Sequence, residues 1–217
     1  MSDSSPFKIH PSVVVDEGAV IGGGTAIWHF SHICAGAVIG NSCSIGQNVM
    51  VADNASLGNN VKVQNNVAIY GGVTIEDDVF LGPSCVLTNV TNPRSQVSRK
   101  TLYEKTHIKR GATIGANATI VCGISLGCYC FIGAGSVVTK NIPDYGMVLG
   151  NPGKLAGFMS RHGHKLKFDE SGRATCPESK FVYEKVEQQV RCLDLDEDEP
   201  LPSELSFGSQ YYDSFQK

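Results

Sequence analysis

Four stretches of this chain carry side chains suited to chemistry: Trp28-His29-Phe30-Ser31-His32, Lys62-Val63-Gln64-Asn65-Asn66, Tyr70, and Thr88-Asn89-Val90-Thr91-Asn92-Pro93-Arg94-Ser95. Imidazoles such as His29 and His32 take up and release protons near neutrality. The Asn89 amide carries N–H donors and a carbonyl acceptor, so it can hold a polar reactant or meet developing negative charge. The Arg94 guanidinium is a fork that matches a carboxylate. Each has a structural alternative. Asn65 and Asn66 also read as asparagines stacked at the corners of a repeating backbone, a solitary histidine as a structural or substrate-binding residue, and Arg94 as the holder of its loop.

The elements that must position these groups follow from one period. From Ile9 to Leu87 every sixth residue is aliphatic: Ile9, Val15, Ile21, Ile27, Ile33, Ile39, Ile45, Val51, Leu57, Val63, Ile69, Ile75, Leu81 and Leu87. Helices repeat their apolar face every 3.6 residues and strands every two, so a period of six over such a run indicates a solenoid. Four residues after most aliphatics sits a small or slim residue such as Ala19, Thr25, Ala37 or Cys43. One short strand and one turn per hexad, with three hexads closing a coil, predicts an all-β parallel β-helix of roughly seven coils over residues 1–150. The glycines Gly22, Gly40, Gly46, Gly58 and Gly82 fall in phase with the hexad and read as corner residues. Gly22-Gly23-Gly24 and Gly133-Ala134-Gly135 are therefore not phosphate-binding fingerprints.

The repeat stops at Leu87 and resumes at Ile108, so the polar, basic stretch 88–107 must loop out of the solenoid, where a long insertion serves function. His107 departs from the aliphatic expected there. Residues 151–193 read as a turn, a short helix over 155–164 and one or two hairpins that cap the last coil. The acidic tail, 194–217, reads as disordered or loosely docked.

Composition excludes several classes. Net charge is −3 over 217 residues, which leaves no basic field for nucleic acid or an anionic membrane surface. No apolar run is long enough for a bilayer span, and Met1–Pro6 lacks the charged and apolar regions of a leader, so the expectation is a cytoplasmic protein without membrane insertion. The eight cysteines are scattered and often occupy small-residue positions of the repeat, which makes them core residues rather than a disulfide framework or a metal site.

The aliphatic-Gly-x-x-small-x hexad resembles the signature of the left-handed β-helix acyltransferases over residues 9–150. Within them, Ile27-Trp-His-Phe-Ser-His-Ile33, Val63-Gln-Asn-Asn-Val67, Leu81-Gly-Pro-Ser84, Leu87-Thr-Asn-Val-Thr-Asn-Pro-Arg94 and Gly157-Phe-Met-Ser-Arg161 resemble the acetyl-CoA-dependent N-acetyltransferases of nucleotide-linked 3-amino sugars. They are similar to enzymes that acetylate UDP-2-acetamido-3-amino-2,3-dideoxy-glucuronate for O-antigen assembly, and also to members using dTDP-linked 3-amino-3,6-dideoxyhexoses. The resemblance implies a left-handed hand and a homotrimer with active sites between subunits. Acetyl-CoA is the implied co-substrate and no metal is required. Such a reaction needs a neutral amine beside a thioester carbonyl, a donor for the oxyanion and a proton acceptor. The resemblance puts Asn89 beside the reacting groups and gives the proton to the departing CoA sulfur, with His32 or His29 as the competing base. Lys62, Gln64, Asn66, Tyr70 and Arg94 are the implied sugar-nucleotide contacts. Ala116, Asn117, Ala134, Gly135, Asn151, Pro152 and Lys154 are the implied acetyl-CoA contacts.

Two readings from other classes compete. A β-helix carbonic anhydrase needs three histidines converging on zinc, and His10, His29, His32 and His107 lack the closely spaced pair. A non-catalytic scaffold should present uniformly small outward residues, which the four stretches above contradict.

Overall fold

The computed structural model describes residues 7–208 and 210–215; Met1–Pro6, where the charged and apolar regions of a leader are missing from the sequence, lies outside the described residues. The chain winds into a left-handed parallel β-helix with three faces. The first stacks Lys8–Ile9, Ala26–Ile27, Ser44–Ile45, Lys62–Val63, Phe80–Leu81, Thr113–Ile114, Phe131–Ile132 and Gly146–Leu149. The second stacks Val14–Val15, His32–Ile33, Met50–Val51, Ala68–Ile69, Val86–Leu87, Thr119–Ile120 and Val137–Val138, and the third runs from Val20–Ile21 to Ser125–Leu126. The first face has eight parallel rungs rather than roughly seven, because Gly146–Leu149 adds one beyond the last hexad.

Register explains the period. Each rung pairs with residues 18 positions along, as Lys62 with Phe80, until the loop lengthens one coil and Phe80 pairs with Thr113. The second residue of each short strand points inward: Ile27, Ile33, Ile39, Ile45, Ile69, Leu81 and Ile114 are fully buried in one continuous core. The small residues fill the corners inside. Cys43, Cys85 and Cys130 occupy such positions, all eight cysteines are free thiols, and burial pushes the Cys85 thiol up to about 12. Cys43, Cys85 and Cys130 are packing residues, their thiols held protonated at neutral pH by burial.

Corner backbone takes left-handed conformations, as at Phe30, Asn48, Asn66, Ser84 and Asn117 along the corner between the first and second faces. Asparagine and serine tolerate that conformation better than branched residues. Gly82 answers a different demand: a Cβ there would lie 2.6 Å from the Ala116 backbone nitrogen in the next coil.

The segment 155–164 is not a helix. Lys154–Phe158 runs antiparallel to Gly146–Leu149 as the ninth strand of the first sheet. Gly157 and Gly163 both sit at positive φ, which an α-helix does not accommodate, and an open sheet edge lies beside the segment. Arg173–Thr175, Val182–Val186 and Gln189–Cys192 form a three-stranded antiparallel sheet. Its core, with Tyr183, Cys176 and Phe158, packs on Tyr145 of the last coil.

Over its described residues the tail is docked on the cap and the last coils. Tyr145 and Tyr129 donate hydroxyl hydrogen bonds at 3.0 Å to the Glu197 carboxylate and backbone oxygen, respectively. Arg161 stacks over the Tyr129 ring at 4.3 Å and donates to the Asp196 and Glu199 carbonyls. Further on, Tyr212 stacks on the buried His164 ring. Among the described residues no helix is long and apolar enough to cross a membrane.

Candidate functional site

The three corners of the prism have different fates. The corner between the third and first faces is filled by structure: Arg110 bridges Asp77 and Asp78 at 3.1 Å each, and above it Tyr129 and Tyr145 carry the cap. That leaves the second face and its two flanking corners, and the chemistry-bearing residues gather there.

The corner between the first and second faces holds a column of small residues in its C-terminal half. Ala116, Asn117, Ala134 and Gly135 stack in consecutive coils, joined by the Gly135 N–H to the Ala116 carbonyl at 2.9 Å. The turn after Leu149 continues the column, with Gly150 N–H donating to Ser136 Oγ at 3.1 Å and Gly153 N–H to the Val137 carbonyl at 2.7 Å. Asn151, Pro152 and Lys154 lie at its end. All the residues expected to contact acetyl-CoA thus form one strip parallel to the solenoid axis, with little side-chain bulk to keep a ligand from the backbone.

The N-terminal half of the same corner holds Gln64 and Asn66. Asn66 sits in the corner ladder: its carbonyl accepts from the Asn48 amide at 3.0 Å, while Asn65 accepts the Gln47 N–H at 2.8 Å. The stacked-asparagine reading accounts for both. Lys62 lies apart from this group. It projects from the first face, and its ammonium donates to the Ser42 carbonyl at 3.2 Å on the far corner.

The opposite corner, between the second and third faces, carries Tyr70 and the loop. Thr106–Ile108 already belongs to the third face, so the loop spans 88–105. Asn89 is half-buried at its root, its carbonyl accepting the Glu104 N–H at 3.0 Å. Among the described residues its side-chain amide makes no hydrogen bond and stays available. Glu104, which sequence reasoning passed over, fastens the two ends of the loop. Its carboxylate accepts from Thr91 Oγ1 and from the Thr91 N–H at 3.3 Å, with the Cys122 thiol at 3.7 Å. Arg94 is exposed and, among the described residues, meets no carboxylate.

His32 is not beside Asn89 within one chain. It occupies the outward row of the second face, followed by Met50, Ala68 and Val86, so it lies three rungs, about 14 Å, below the root of the loop. It bonds Asp16 at 3.0 Å with the Cys34 sulfur 4.0 Å away. Among the described residues this is the one trio whose ligand-type atoms approach one another closely enough for a metal, and the exposed histidine–aspartate hydrogen bond suffices to explain it. His29 stacks on His10 at 3.5 Å. His107 takes an ordinary outward position between Thr74 and Ser125, and its Nε2 lies 2.7 Å from Glu76; the aliphatic of its hexad is Ile108.

The two columns therefore flank one face without meeting. The outward row between them, Val14, His32, Met50, Ala68, Val86, Thr119 and Val137, is largely apolar, and Val14 and Val86 are about half exposed. Within one chain, Asn89 and the small-residue strip thus stand at opposite edges of the second face.

Residues 54–89 match the family of bacterial transferase hexapeptides (six repeats), and residues 31–70 and 107–140 match the hexapeptide repeat of succinyl-transferase. Over 175 residues the chain is 45% identical to dTDP-3-amino-3,6-dideoxy-alpha-D-galactopyranose 3-N-acetyltransferase of Aneurinibacillus thermoaerophilus, covering 81% of this chain and 90% of that protein. It is 31% identical over 102 residues to galactoside O-acetyltransferase of Lactococcus lactis, covering 42% of this chain and 49% of that one. Among solved structures, a variant of GDP-perosamine N-acetyltransferase from Caulobacter crescentus, crystallised with CoA and GDP-perosamine, superimposes with a TM-score of 0.50 at 19% identity. That match covers 71% of this chain and 58% of that one, and at such identity it speaks to the fold alone.

Proposed function

Because the chain belongs to the hexapeptide-repeat N-acetyltransferases, we propose that it transfers the acetyl group of acetyl-CoA to the 3-amino group of a nucleotide-linked amino sugar. The observation that carries this reading is the pairing of a side-chain-poor strip with an available asparagine amide across one apolar face. The strip offers backbone N–H and carbonyl groups to a long, thin cofactor arm. Asn89 offers a donor where the thioester carbonyl gathers charge, or an acceptor that orients the amine.

In the mechanism that this geometry favours, the neutral 3-amine attacks the thioester carbon, a tetrahedral oxyanion forms, and collapse expels the CoA thiolate. The amine's proton passes to that departing sulfur, so no protein base is needed. His32, three rungs away and bonded to Asp16, is poorly placed for the task within its own chain.

The site is completed by a homotrimer in which the loop corner of one chain meets the strip of the next, burying the apolar second face. The 45% identical relative favours a dTDP-linked 3-amino-3,6-dideoxyhexose as substrate. A second reading, the UDP-linked 3-amino-glucuronate, rests on Arg94, a cation on the loop that meets no carboxylate among the described residues. Acetyl-CoA turnover against UDP- and dTDP-linked 3-amino sugars tests the proposal: CoA release with one of these and none with the 3-hydroxy analogue supports it. Failure of every amine to accept the acetyl group would overturn it.

A further inference from the structure

The strip accounts for only the C-terminal half of its corner. Running the same positions toward the N-terminus, one row reads Gly133, Gly115, Gly82, Gln64, Gly46, Trp28 and His10, and the next reads Ala134, Ala116, Pro83, Asn65, Gln47, His29 and Pro11. The corner thus changes at the coil of Gln64 from small residues to aromatic rings and amides. The hexad repeat gives no reason for a tryptophan at an outward corner position, and Trp28 is 43% exposed.

From this we infer that Trp28, Gly46 and Gln64 form a slot for the pyrimidine base of the sugar nucleotide, an assignment that rests on the reaction proposed above. Trp28 and Gln64 stand two rungs apart, about 9.5 Å, with the glycine between them. After allowance for the thickness of the indole and the amide, one aromatic ring fits in stacking contact. Gly46 cannot fill the gap, since a Cβ there would lie 2.7 Å from Asn65 Oδ1. The Lys8 ammonium sits over the Trp28 ring at 5.5 Å. On the Gly46 side of the indole a cleft of about 340 Å³ is lined by Trp28, His29, Gly46, Gln47, Gln64 and Asn65, among others. The Gln47 and Gln64 amides supply both a donor and an acceptor, matching the N3–H and carbonyl oxygens of uracil or thymine.

Position supports the assignment. From Trp28 to Gly82, the coil from which the loop departs, is three rungs, about 14 Å. That is the reach of an extended nucleoside-diphosphate sugar from base to hexose. A base at Trp28 therefore puts the sugar's amine at the start of the strip, where the thioester end of acetyl-CoA would lie.

Trp28 is the sole tryptophan of the chain, so its fluorescence reports on the slot directly. Titration of the intact protein with dTDP and with UDP should quench the emission saturably, whereas acetyl-CoA, corrected for inner-filter absorption, should not. Trp28→Ala should raise the KM for the sugar nucleotide roughly 5- to 150-fold, the range for loss of one base–aromatic stack, and leave the KM for acetyl-CoA unchanged. Trp28→Phe should recover most of the loss, and Gln64→Ala should weaken nucleotide binding without altering the fold. Absence of quenching by either nucleotide in an enzyme that turns over, or an unchanged nucleotide KM in Trp28→Ala, would overturn the slot while the acetyl-transfer reading stands. Saturable quenching by dTDP in a protein that acetylates no amino sugar would support the slot and discard that reading instead.

Discussion

Glu104 is the best single perturbation of the loop, because it touches the loop's two ends without belonging to the solenoid core. Its side chain accepts two hydrogen bonds from Thr91, and its backbone N–H holds the Asn89 carbonyl at 3.0 Å. Glu104→Ala leaves the backbone bond and removes both bonds from Thr91 together with the weak one from the Cys122 thiol. A hydrogen bond to a charged group contributes about 1.5–3 kcal/mol when buried. Glu104 and Thr91 are exposed, so solvent screening reduces this to about 1 kcal/mol or less for each, about 1–2 kcal/mol together. That sum shifts the loop's ordering equilibrium by roughly 5- to 30-fold. The expected result is a fall in kcat/KM of up to that factor, faster amide exchange confined to 88–105, and a melting temperature within about 2 °C of wild type, since the coils stay paired. Glu104→Gln keeps a neutral acceptor and should recover part of the loss. Unchanged activity and exchange would show that the carboxylate does not order the loop. A drop of many degrees in melting temperature would show that it supports the coils instead.

Other outcomes follow from the same geometry. Asn89→Ala should lower kcat by roughly 10- to 1,000-fold with a smaller effect on KM, and His32→Ala should do less; kinetics showing the reverse order, with substrate binding intact, would make the histidine the base. Arg94→Ala should weaken a uronate-type substrate by roughly 1.5–3 kcal/mol and spare acetyl-CoA; equal losses for charged and neutral sugars would reduce Arg94 to a loop-holding role. Sedimentation should give a particle three times the chain mass, and a fully active monomer would sink the intersubunit site.

Much of the architecture was legible because a solenoid writes its geometry into the period. Ile27, Ile45 and Val63 align in the structure as they do in the sequence, 18 residues apart, and the break at Leu87 marks the loop. The period fails where the chain leaves the coils. The stretch 155–164 has no hexad, and its strand conformation is decided by the open edge of Gly146–Leu149, a tertiary fact. The docked tail is similarly set by partners far away, Tyr129, Tyr145 and Arg161.

The site shows the same division at finer scale. A residue's corner is readable from its phase, so Ala116 and Ala134 fall into one column, and Tyr70 and Asn89 share another. What phase cannot give is how far apart two columns stand, or whether a side chain already has a partner. Asn66, Lys62 and Gln64 look equivalent in the sequence, yet the Asn66 carbonyl accepts a hydrogen bond in the corner ladder and the Lys62 ammonium donates to the Ser42 carbonyl at the corner between the third and first faces. Glu104 carried no sequence signal, since a lone glutamate in a polar loop has no period and its partners, Thr91 and Cys122, lie 13 and 18 residues away. The separation of the two columns by a whole face has the widest consequence. Residues that sequence resemblance assigns to one reaction are divided in one chain between opposite edges, so the intersubunit site proposed above predicts that catalytic competence and assembly are gained together. A substitution such as Val86→Asp, in the apolar row between the edges, should therefore abolish turnover and association in parallel while leaving the inward-facing core and the fold of each chain intact. Retained activity in a monomeric Val86→Asp protein would mean that one chain's loop reaches its own strip.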